Sequence, residues 1–393
     1  MRRRKPANGS FAATVEPGLG LRTPAGRSPP LSGRSAIEER PEENVIFEPP
    51  ISREPVAPDP RESAAEVALR PRTLAEFVGQ SQVVDNLSIA IQAARMRGDA
   101  LDHLLLSGLP GLGKTTLAEL ISREMNVSLR TAAAPAIDKP ADLAGLLAGL
   151  KKGDVLFIDE IHRLPAAVEE YLYSAMEDFV LDILLDQGAR ARTVRLQLER
   201  FTLIGATTRD GLLAPPFRAR FGLVERLETY DDDDLATIAR RSARLLERGL
   251  DDDAARLVAV RSRGTPRLVN RFLRRLRDLA QVEGRDRIDL ALADRGLKRL
   301  GIDGRGLTAL DRKLLETLHR GGPIPVGLKT LAVSLGEDER TIEDVYEPFL
   351  LREGFIVKTP RGRRITERGA SAAGLPPPRA ESTGDDTEAP LFP

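Results

Sequence analysis

Residues 108–115 carry the pattern with the clearest chemistry. They read GLPGLGKT and fit G-x-x-x-x-G-K-[ST], in which backbone N–H groups turn inward around phosphates. Lys114 would reach the β- and γ-phosphates, and the hydroxyl of Thr115 would hold Mg²⁺. A strand-like apolar run precedes the loop and a helical pattern follows it, so the positive end of a helix would face the same phosphates. The pattern predicts a site for ATP and Mg²⁺ rather than an ordinary glycine-rich turn.

Two further strand ends would complete this site. Residues 155–160 read VLFIDE, four apolar residues that would bury a strand followed by two carboxylates at its end. Asp159 would position Mg²⁺, mostly through water, and Glu160 would orient and polarise the attacking water. Thr207 and Thr208 follow the apolar run 201–206, at the strand end where ligands of such sheets lie. A hydroxyl there, with Thr207 as the first candidate, could contact the γ-phosphate or the water, and a simple strand-to-loop cap is the alternative.

Three arginines are candidates for contacting the phosphates. Arg218 and Arg220 lie in PPFRARF, and a spacing of two puts them on one side if the segment is extended. A cation from a neighbouring subunit could stabilise transition-state charge, as an arginine finger does, whereas the alternative is a surface salt bridge. Arg267 would lie in the first turn of a helix, where the helix dipole disfavours a cation. Its position hints at a bound anion.

The C-terminal part of the chain has a basic segment. Residues 356–368 carry five positive side chains and one negative, and they fall on a predicted β-hairpin. Lys358, Arg361 and Arg363 would meet nucleic-acid phosphates there without reading sequence. A solvated basic hairpin is the alternative.

Residues 180–198 form another predicted hairpin, in which apolar and polar residues alternate on both sides of a turn near Gln187. Leu181, Ile183, Leu184 and Leu185 make it apolar for an exposed ribbon, which suggests a partner surface. The alternative is a hairpin that simply extends the main sheet.

The elements that must position these residues give the predicted domain organisation. Continuous apolar runs separated by helical segments indicate an α/β domain with a buried parallel sheet, over residues 63–231. Residues 232–302 are helical throughout and predict a small lid domain. Residues 303–370 show three helices and then two short strands, the order of a winged helix. Residues 1–62 and 371–393 are rich in proline and charge and are predicted to be disordered.

Composition excludes several classes of protein. The 393 residues contain no cysteine and three histidines, which excludes disulfides and makes a metalloenzyme unexpected. Lys and Arg total 59, equal to Asp and Glu, so global charge says nothing about nucleic acid. No apolar run reaches the ~18–20 residues of a membrane span, and we expect a cytoplasmic protein with no membrane partner.

The chain resembles the RuvB family of AAA+ ATPases, the bacterial Holliday-junction branch-migration motors. The resemblance covers about residues 63–370. It rests on GLGKTTLA at 111–118, DVLFIDEIHRL at 154–164, FTLIGATTR at 201–209, TIEDVYEP at 341–348 and TPRGR at 359–363.

The resemblance implies roles for individual residues. Arg220 would be offered to the γ-phosphate of a neighbour, with Arg218 as the second candidate, and Arg267 would be a second sensor of the nucleotide. Lys358 and Arg363 occupy DNA-contact positions of the wing. Nucleotide contacts are implied for Leu69, Arg70, Gly111, Gly113, Lys114, Thr115, Thr116, Glu177, Asp178, Phe179 and Tyr230.

The resemblance also implies partners. The family works as a homohexameric ring around duplex DNA, its hairpin docks onto the junction-binding protein RuvA, and a RuvC-like resolvase joins the complex. The hairpin tip of this chain lacks the customary Gly-Pro, and Lys358 replaces an arginine. Two alternatives stay open, a clamp-loader-like AAA+ ATPase and a nucleotide-gated DNA-binding scaffold without turnover.

Overall fold

The computed structural model describes residues 66–184 and 193–378. Five parallel strands form the central sheet in the order β2-β3-β6-β1-β7, and a separate antiparallel pair, β4 and β5, forms a hairpin. The seven strands are β1 Leu104–Ser107, β2 Leu129–Ala133, β3 Val155–Asp159, β4 Val180–Leu184, β5 Thr193–Gln197, β6 Thr202–Thr207 and β7 Leu223–Arg226. The predicted α/β class with a buried parallel sheet is confirmed.

Side-chain alternation along the strands builds two cores, one on each face of the sheet. Leu104 and Leu106 of β1 pack into one core, whereas Leu105 between them packs into the other. Five helices flank the sheet: α1 Ser81–Arg97, α2 Lys114–Met125, α3 Pro140–Leu147, α4 Ala166–Glu177 and α5 Pro215–Arg218. Because both faces are covered, the strands read as continuous apolar runs.

The hairpin forms its own two-stranded sheet and does not extend the central one. Its base is anchored rather than exposed, because Leu181 and Leu198 are buried in the core that contains α4. The sequence predicted that Leu181 is an exposed apolar residue of the hairpin. This prediction is wrong, because strand alternation points its side chain into the core. The side chains of Ile183 and Leu184, and all of residues 185–192, lie outside the described part.

The lid contains four helices, α6 Asp232–Leu245, α7 Asp252–Arg261, α8 Pro266–Val282 and α9 Leu290–Arg299. Asp231 caps α6 by accepting a 2.7 Å hydrogen bond from the Asp234 backbone N–H. The sequence pattern predicted only helices here, but two short parallel strands, β8 Gly249–Leu250 and β9 Arg287–Ile288, also occur. Strands of two residues are too short to show a periodicity.

The C-terminal domain is a winged helix. Its elements are α10 Ala309–Arg320, α11 Leu328–Leu335, α12 Glu339–Thr341, a π-helical turn Ile342–Tyr346, α13 Glu347–Arg352, β10 Ile356–Thr359, β11 Gly362–Ile365 and α14 Glu367–Ala372. The last of the three predicted helices is not a regular α-helix, because the π-helical turn Ile342–Tyr346 interrupts it. Pro348 has no N–H to donate to the carbonyl of Asp344, so the regular helical ladder is interrupted there.

The sequence analysis predicted that C-terminal disorder begins at residue 371, and this boundary is too early. Helix α14 runs to Ala372, Leu375 packs against the winged-helix core, and His319 Nε2 lies 2.9 Å from the Pro376 carbonyl oxygen. Residues 371–378 are therefore part of the folded domain. The predicted disorder of 1–62 and of the remaining tail falls outside the described residues. Among the helices of 66–184 and 193–378, none is long and apolar enough to cross a membrane.

Candidate functional site

The glycine-rich loop follows β1, at the carboxyl end of this inner strand, and leads into α2. Gly108, Gly111 and Gly113 all have positive φ, at 141°, 80° and 109°. The Nζ of Lys114 donates to the carbonyls of Gly108 at 2.7 Å and Leu109 at 2.9 Å, so the loop wraps around the ammonium group. Burial lowers the pKa of Lys114, and the nearby carboxylates of Asp159 and Glu160 oppose this shift. The loop has the conformation that a phosphate cradle needs.

The loop lies against the lid. A Cβ added to Gly111 would come within 2.8 Å of the Thr265 methyl group and 2.9 Å of the Arg267 Cβ. Any side chain at position 111 would therefore push the start of α8 away from the loop. The requirement for glycine here comes from the lid as well as from the backbone angle.

Two carboxylates emerge at the end of β3, as predicted. The backbone N–H of Glu160 donates to Asp159 Oδ1 at 2.9 Å, and Glu160 itself has a left-handed backbone with φ 52°. Burial raises the pKa of Glu160, the charge of Asp159 adds to the rise, and Lys114 opposes it. Asp159 and Glu160 line the same cavity as Lys114 and Thr115.

Thr207 does not line this cavity, which corrects its predicted position. As the last residue of β6 it is fully buried, and its Oγ1 lies 2.9 Å from His162 Nδ1. Thr208, one residue past the strand, lines the cavity instead. Side chains alternate along a strand, so of two successive hydroxyls only one can face the nucleotide.

The cavity has a volume of about 450 Å³, within the range of small-ligand sites. It extends from the loop to the segment before α1 and to the lid. The Tyr230 hydroxyl donates to the Leu112 carbonyl at 3.1 Å and fixes that wall. The predicted contact residues that line it are Leu69, Arg70, Gly111, Gly113, Lys114, Thr115, Thr116, Asp159, Glu160, Tyr230 and Arg267.

The lid supplies cavity residues that the sequence analysis missed, and Arg241 makes the most contacts among them. Arg241 of α6 donates to the carbonyls of Leu69 at 2.7 Å and Arg70 at 3.1 Å, and it pairs with Glu76 at 3.0 Å. It therefore holds the segment predicted to face the adenine. No local pattern could have identified it, because its partners lie more than 160 positions away.

Another group of predicted site residues lies away from the cavity. Arg220 approaches Glu177 Oε1 at 3.2 Å, stacks over the Tyr173 ring at 4.4 Å and donates to the Pro216 carbonyl at 2.7 Å. Arg218 lies 3.8 Å from Asp210. Glu177, Asp178 and Phe179 follow α4 and do not line the cavity either. The structure thus does not bring these residues to the nucleotide pocket of their own chain.

The segment that carries Arg218 and Arg220 is not extended, so the condition under which the two arginines would share one side is not met. Pro215 and Pro216 occupy the first helical positions of α5, where the fixed φ of proline favours a helical turn. The two arginines therefore do not share one side of a strand.

The three predicted DNA contacts of the wing differ in exposure. Lys358 and Arg361 are exposed. Arg363 is only 6% exposed, and its guanidinium pairs with Glu347 through two hydrogen bonds and with Glu343 at 3.0 Å. Arg363 therefore does not face solvent, because its guanidinium is already paired with Glu347, which is also buried. In this conformation it supports the wing instead of presenting a free cation.

Breaking this buried pair is expected to destabilise the winged helix. Glu347→Ala leaves the Arg363 guanidinium buried without its main partner, which should cost about 3–5 kcal/mol. Hydrogen exchange of the β10 and β11 amides measures the loss, and Arg361→Ala, which removes an exposed charge in the turn between these strands, is the control. A loss for Glu347→Ala no larger than that of the control would show that the pair does not support the wing.

Known family models match each of the three folded domains. The family model of the Holliday junction DNA helicase RuvB P-loop domain matches residues 69–227, that of the RuvB AAA lid domain matches 230–303, and that of the RuvB C-terminal winged helix domain matches 304–373.

Curated relatives and solved structures are similar over most of the chain. The branch migration complex subunit RuvB of Myxococcus xanthus is 58% identical over 310 residues, 79% of this chain and 90% of the relative. That of Chlorobaculum tepidum is 55% identical over 323 residues, 81% and 93% of the two chains. The RuvB Holliday junction branch migration motor of Thermotoga maritima superposes with a TM-score of 0.73 at 46% identity, covering 79% of this chain and 100% of that one. The chain therefore belongs to the RuvB family of ATP-driven Holliday-junction branch-migration motors.

Proposed function

We propose that this chain hydrolyses MgATP with the residues that converge on the cavity. Thr115 and Asp159 offer the hydroxyl and carboxylate oxygens that Mg²⁺ prefers, beside the loop that would hold the phosphates. When bound, Mg²⁺ neutralises charge on the phosphates. Lys114 would contact the β- and γ-phosphates, and Glu160 would orient the attacking water. Thr208 is better placed than Thr207 to contact the γ-phosphate or that water.

The base and the sugar would occupy the part of the cavity between the segment before α1 and the lid. Leu69 and Tyr230 offer apolar walls, and Arg70 and Arg267 offer cations. Arg267 is 61% exposed at the start of α8, and within 66–184 and 193–378 its one ion pair is with Glu66 at 3.4 Å. It is therefore free to turn toward a phosphate, which would let the lid respond to the nucleotide.

We propose that the complete site forms between neighbouring subunits of a homohexameric ring. Arg220, Arg218 and the segment Glu177–Phe179 lie together and away from the cavity of their own chain. In a head-to-tail ring, one such face meets the cavity of the next subunit. Arg220 is the main candidate for the trans-acting cation, because Glu177 and the Tyr173 ring hold its guanidinium in a defined position on this face.

The winged helix is the proposed contact with duplex DNA, through Lys358 and Arg361. Arg361 lies in the turn between β10 and β11, where a groove or backbone could approach it. Such contacts are made to phosphates, so they carry affinity without sequence specificity.

The basic wing gives a salt-dependent prediction. The double variant Lys358→Ala with Arg361→Ala should weaken binding to unrelated duplexes equally and lower the slope of log K against log[salt] by about 1 for each lost phosphate contact. Fluorescence anisotropy over a salt series measures this slope. Arg299→Ala, an exposed arginine on the lid, is the matched control, and equal slopes for the control and the double variant would remove the wing from the interface.

The partners proposed for the ring are a RuvA-like junction-binding protein and a RuvC-like resolvase in the same complex, in the cytoplasm. The names of the curated relatives, subunits of a branch migration complex, support partners in general. Hairpin β4–β5 is the proposed docking element, because it leaves the central sheet and its base is anchored through Leu181.

The observation that carries the proposal is the separation of Arg220 from the cavity that contains Lys114 and Glu160. A site divided in this way works only when subunits associate. ATPase activity per subunit should therefore rise with protein concentration and with duplex DNA, in parallel with a hexamer detected by native mass spectrometry. Full activity in a monomer would refute the divided site, and ATP binding without phosphate release under all conditions would favour the scaffold alternative.

A further inference from the structure

His162 contacts the residue that would orient the attacking water. Its Nε2 lies 3.4 Å from Glu160 Oε2, and its side chain is only 8% exposed. None of the roles discussed above uses this histidine, although it lies two residues from Glu160 in the 3₁₀ turn Ile161–Arg163.

The hydrogen-bond pattern around His162 assigns its tautomer. The Oγ1 of Thr207 accepts a hydrogen bond from the Arg209 backbone N–H at 3.0 Å and lies 2.9 Å from His162 Nδ1. The carboxylate of Glu160 can only accept, so Nε2 carries the hydrogen that faces it, and Nδ1 accepts from the Thr207 hydroxyl, which has no other acceptor among the described residues. Burial, then the charges of Arg209 and Arg163, lower the pKa of His162 and favour this neutral form.

The same chain of contacts continues into the winged helix. The side chain of Arg209 donates to Asp344 Oδ1 from Nε at 3.0 Å and from Nη2 at 2.5 Å, and Nη2 lies 3.4 Å from Glu343 Oε2. Both acids belong to the π-helical turn Ile342–Tyr346, where the helix ladder is interrupted. Arg209 therefore joins the strand end that holds Thr207 to an irregular turn of the DNA-binding domain.

Glu343 is shared between this contact and the wing. Its other oxygen, Oε1, lies 3.3 Å from Lys358 Nζ and 3.0 Å from Arg363 Nη2. Its carboxylate thus has cations on two sides, one from the motor domain and two from the wing. Because Arg209, Glu343 and Asp344 are about a third exposed, these ion pairs are weak enough to be exchanged.

We propose that Arg209 and His162 are positioning residues that couple the winged helix to Glu160. The contacts run from Glu343 and Asp344 through Arg209 and Thr207 to His162, which holds the carboxylate of Glu160. A DNA phosphate that takes Lys358 would leave Glu343 to Arg209 and Arg363 and change the strength of this connection. The rate of ATP hydrolysis would then respond to DNA without a change in ATP affinity. This inference rests on the proposed roles of Glu160 and of the wing.

A charge-swap series in the full-length chain tests the coupling. Arg209→Glu should lower kcat for ATP in the presence of duplex DNA by about 10²-fold, the cost of a misplaced catalytic group, with KM unchanged. Asp344→Arg should lower it as well, and the double swap should restore most of the loss. Arg340→Glu makes the same charge change beside the acid pair. In the described part of the chain Arg340 has no side-chain ion pair, so this control should keep the DNA stimulation.

Substitutions of His162 test the other end of the chain of contacts. His162→Ala should reduce kcat with KM for ATP unchanged, and His162→Gln, which can keep an N–H donor toward Glu160, should recover part of it. Equal kcat values for alanine and glutamine, or no effect of the charge swaps on DNA stimulation, would overturn the coupling. If instead Glu160→Gln hydrolysed ATP normally, the proposed function itself would fail, so the two failures are distinguishable.

Discussion

Glu160→Gln is expected to bind ATP with normal affinity and to lose hydrolysis almost completely. Glutamine keeps the size of the side chain but cannot accept a proton from the attacking water. Loss of a positioned general base typically costs about 10²–10⁴-fold in rate. The glutamine side chain has nearly the same shape as glutamate, so the fold of the cavity should stay intact. The Glu160 side chain also lies at the edge of the cavity and is not in a core.

Single-turnover hydrolysis of labelled ATP and a separate binding titration together measure this effect. Lys114→Ala is the informative comparison, since it should weaken ATP binding as well as turnover. The Nζ of Lys114 now rests on the carbonyls of Gly108 and Leu109 and would be redirected to phosphate. Hydrolysis by Glu160→Gln at the rate of the unaltered chain would refute the role given to this carboxylate.

Arg220→Ala should have an effect of similar size, but it should act on the neighbouring subunit. An arginine that stabilises the charge of the transferring phosphoryl group contributes about 10³–10⁵ in kcat. The cavity of the same chain keeps all its lining residues in this variant, so ATP binding should persist. Arg218→Ala is the informative comparison, because Arg218, the second candidate, lies near Asp210 at the end of α5 and a larger loss there would make it the main trans-acting cation.

Mixing two inactive variants separates a contribution in trans from one in cis. In a ring of equal parts Arg220→Ala and Glu160→Gln, about one quarter of the interfaces combine an intact Glu160 with an intact Arg220 from the neighbour. Activity should therefore reappear on mixing. A mixture as inactive as its components would show that Arg220 acts within its own subunit or only in assembly.

The parts of this protein that could be predicted from sequence are those that depend on near neighbours. Helix α2 has the predicted bounds, Lys114–Met125, because the glycine loop forces the chain to start a helix there. Strand β3 and the two carboxylates after it were recognisable because a short apolar run ends in charge. Such features need only the local pattern.

What could not be predicted depends on contacts between distant segments. The burial of Arg363 requires Glu347 from a different element, and the anchoring of the Leu69 segment requires Arg241 from the lid. A basic wing looks the same in sequence whether its arginines face solvent or a buried acid. The choice between Thr207 and Thr208 was accessible in principle, because strand alternation decides it once the end of β6 is known.

Branch migration of a synthetic four-way junction tests the central claim, that ATP hydrolysis at this site moves DNA, most directly. With its cognate junction-binding protein, the chain is predicted to convert the junction into duplex products with hydrolysable ATP and not with a non-hydrolysable analogue. Glu160→Gln and Arg220→Ala are predicted to bind the junction and leave it in place. Conversion at an undiminished rate by either variant, or ATP hydrolysis by the unaltered chain with no movement of the junction, would contradict the account.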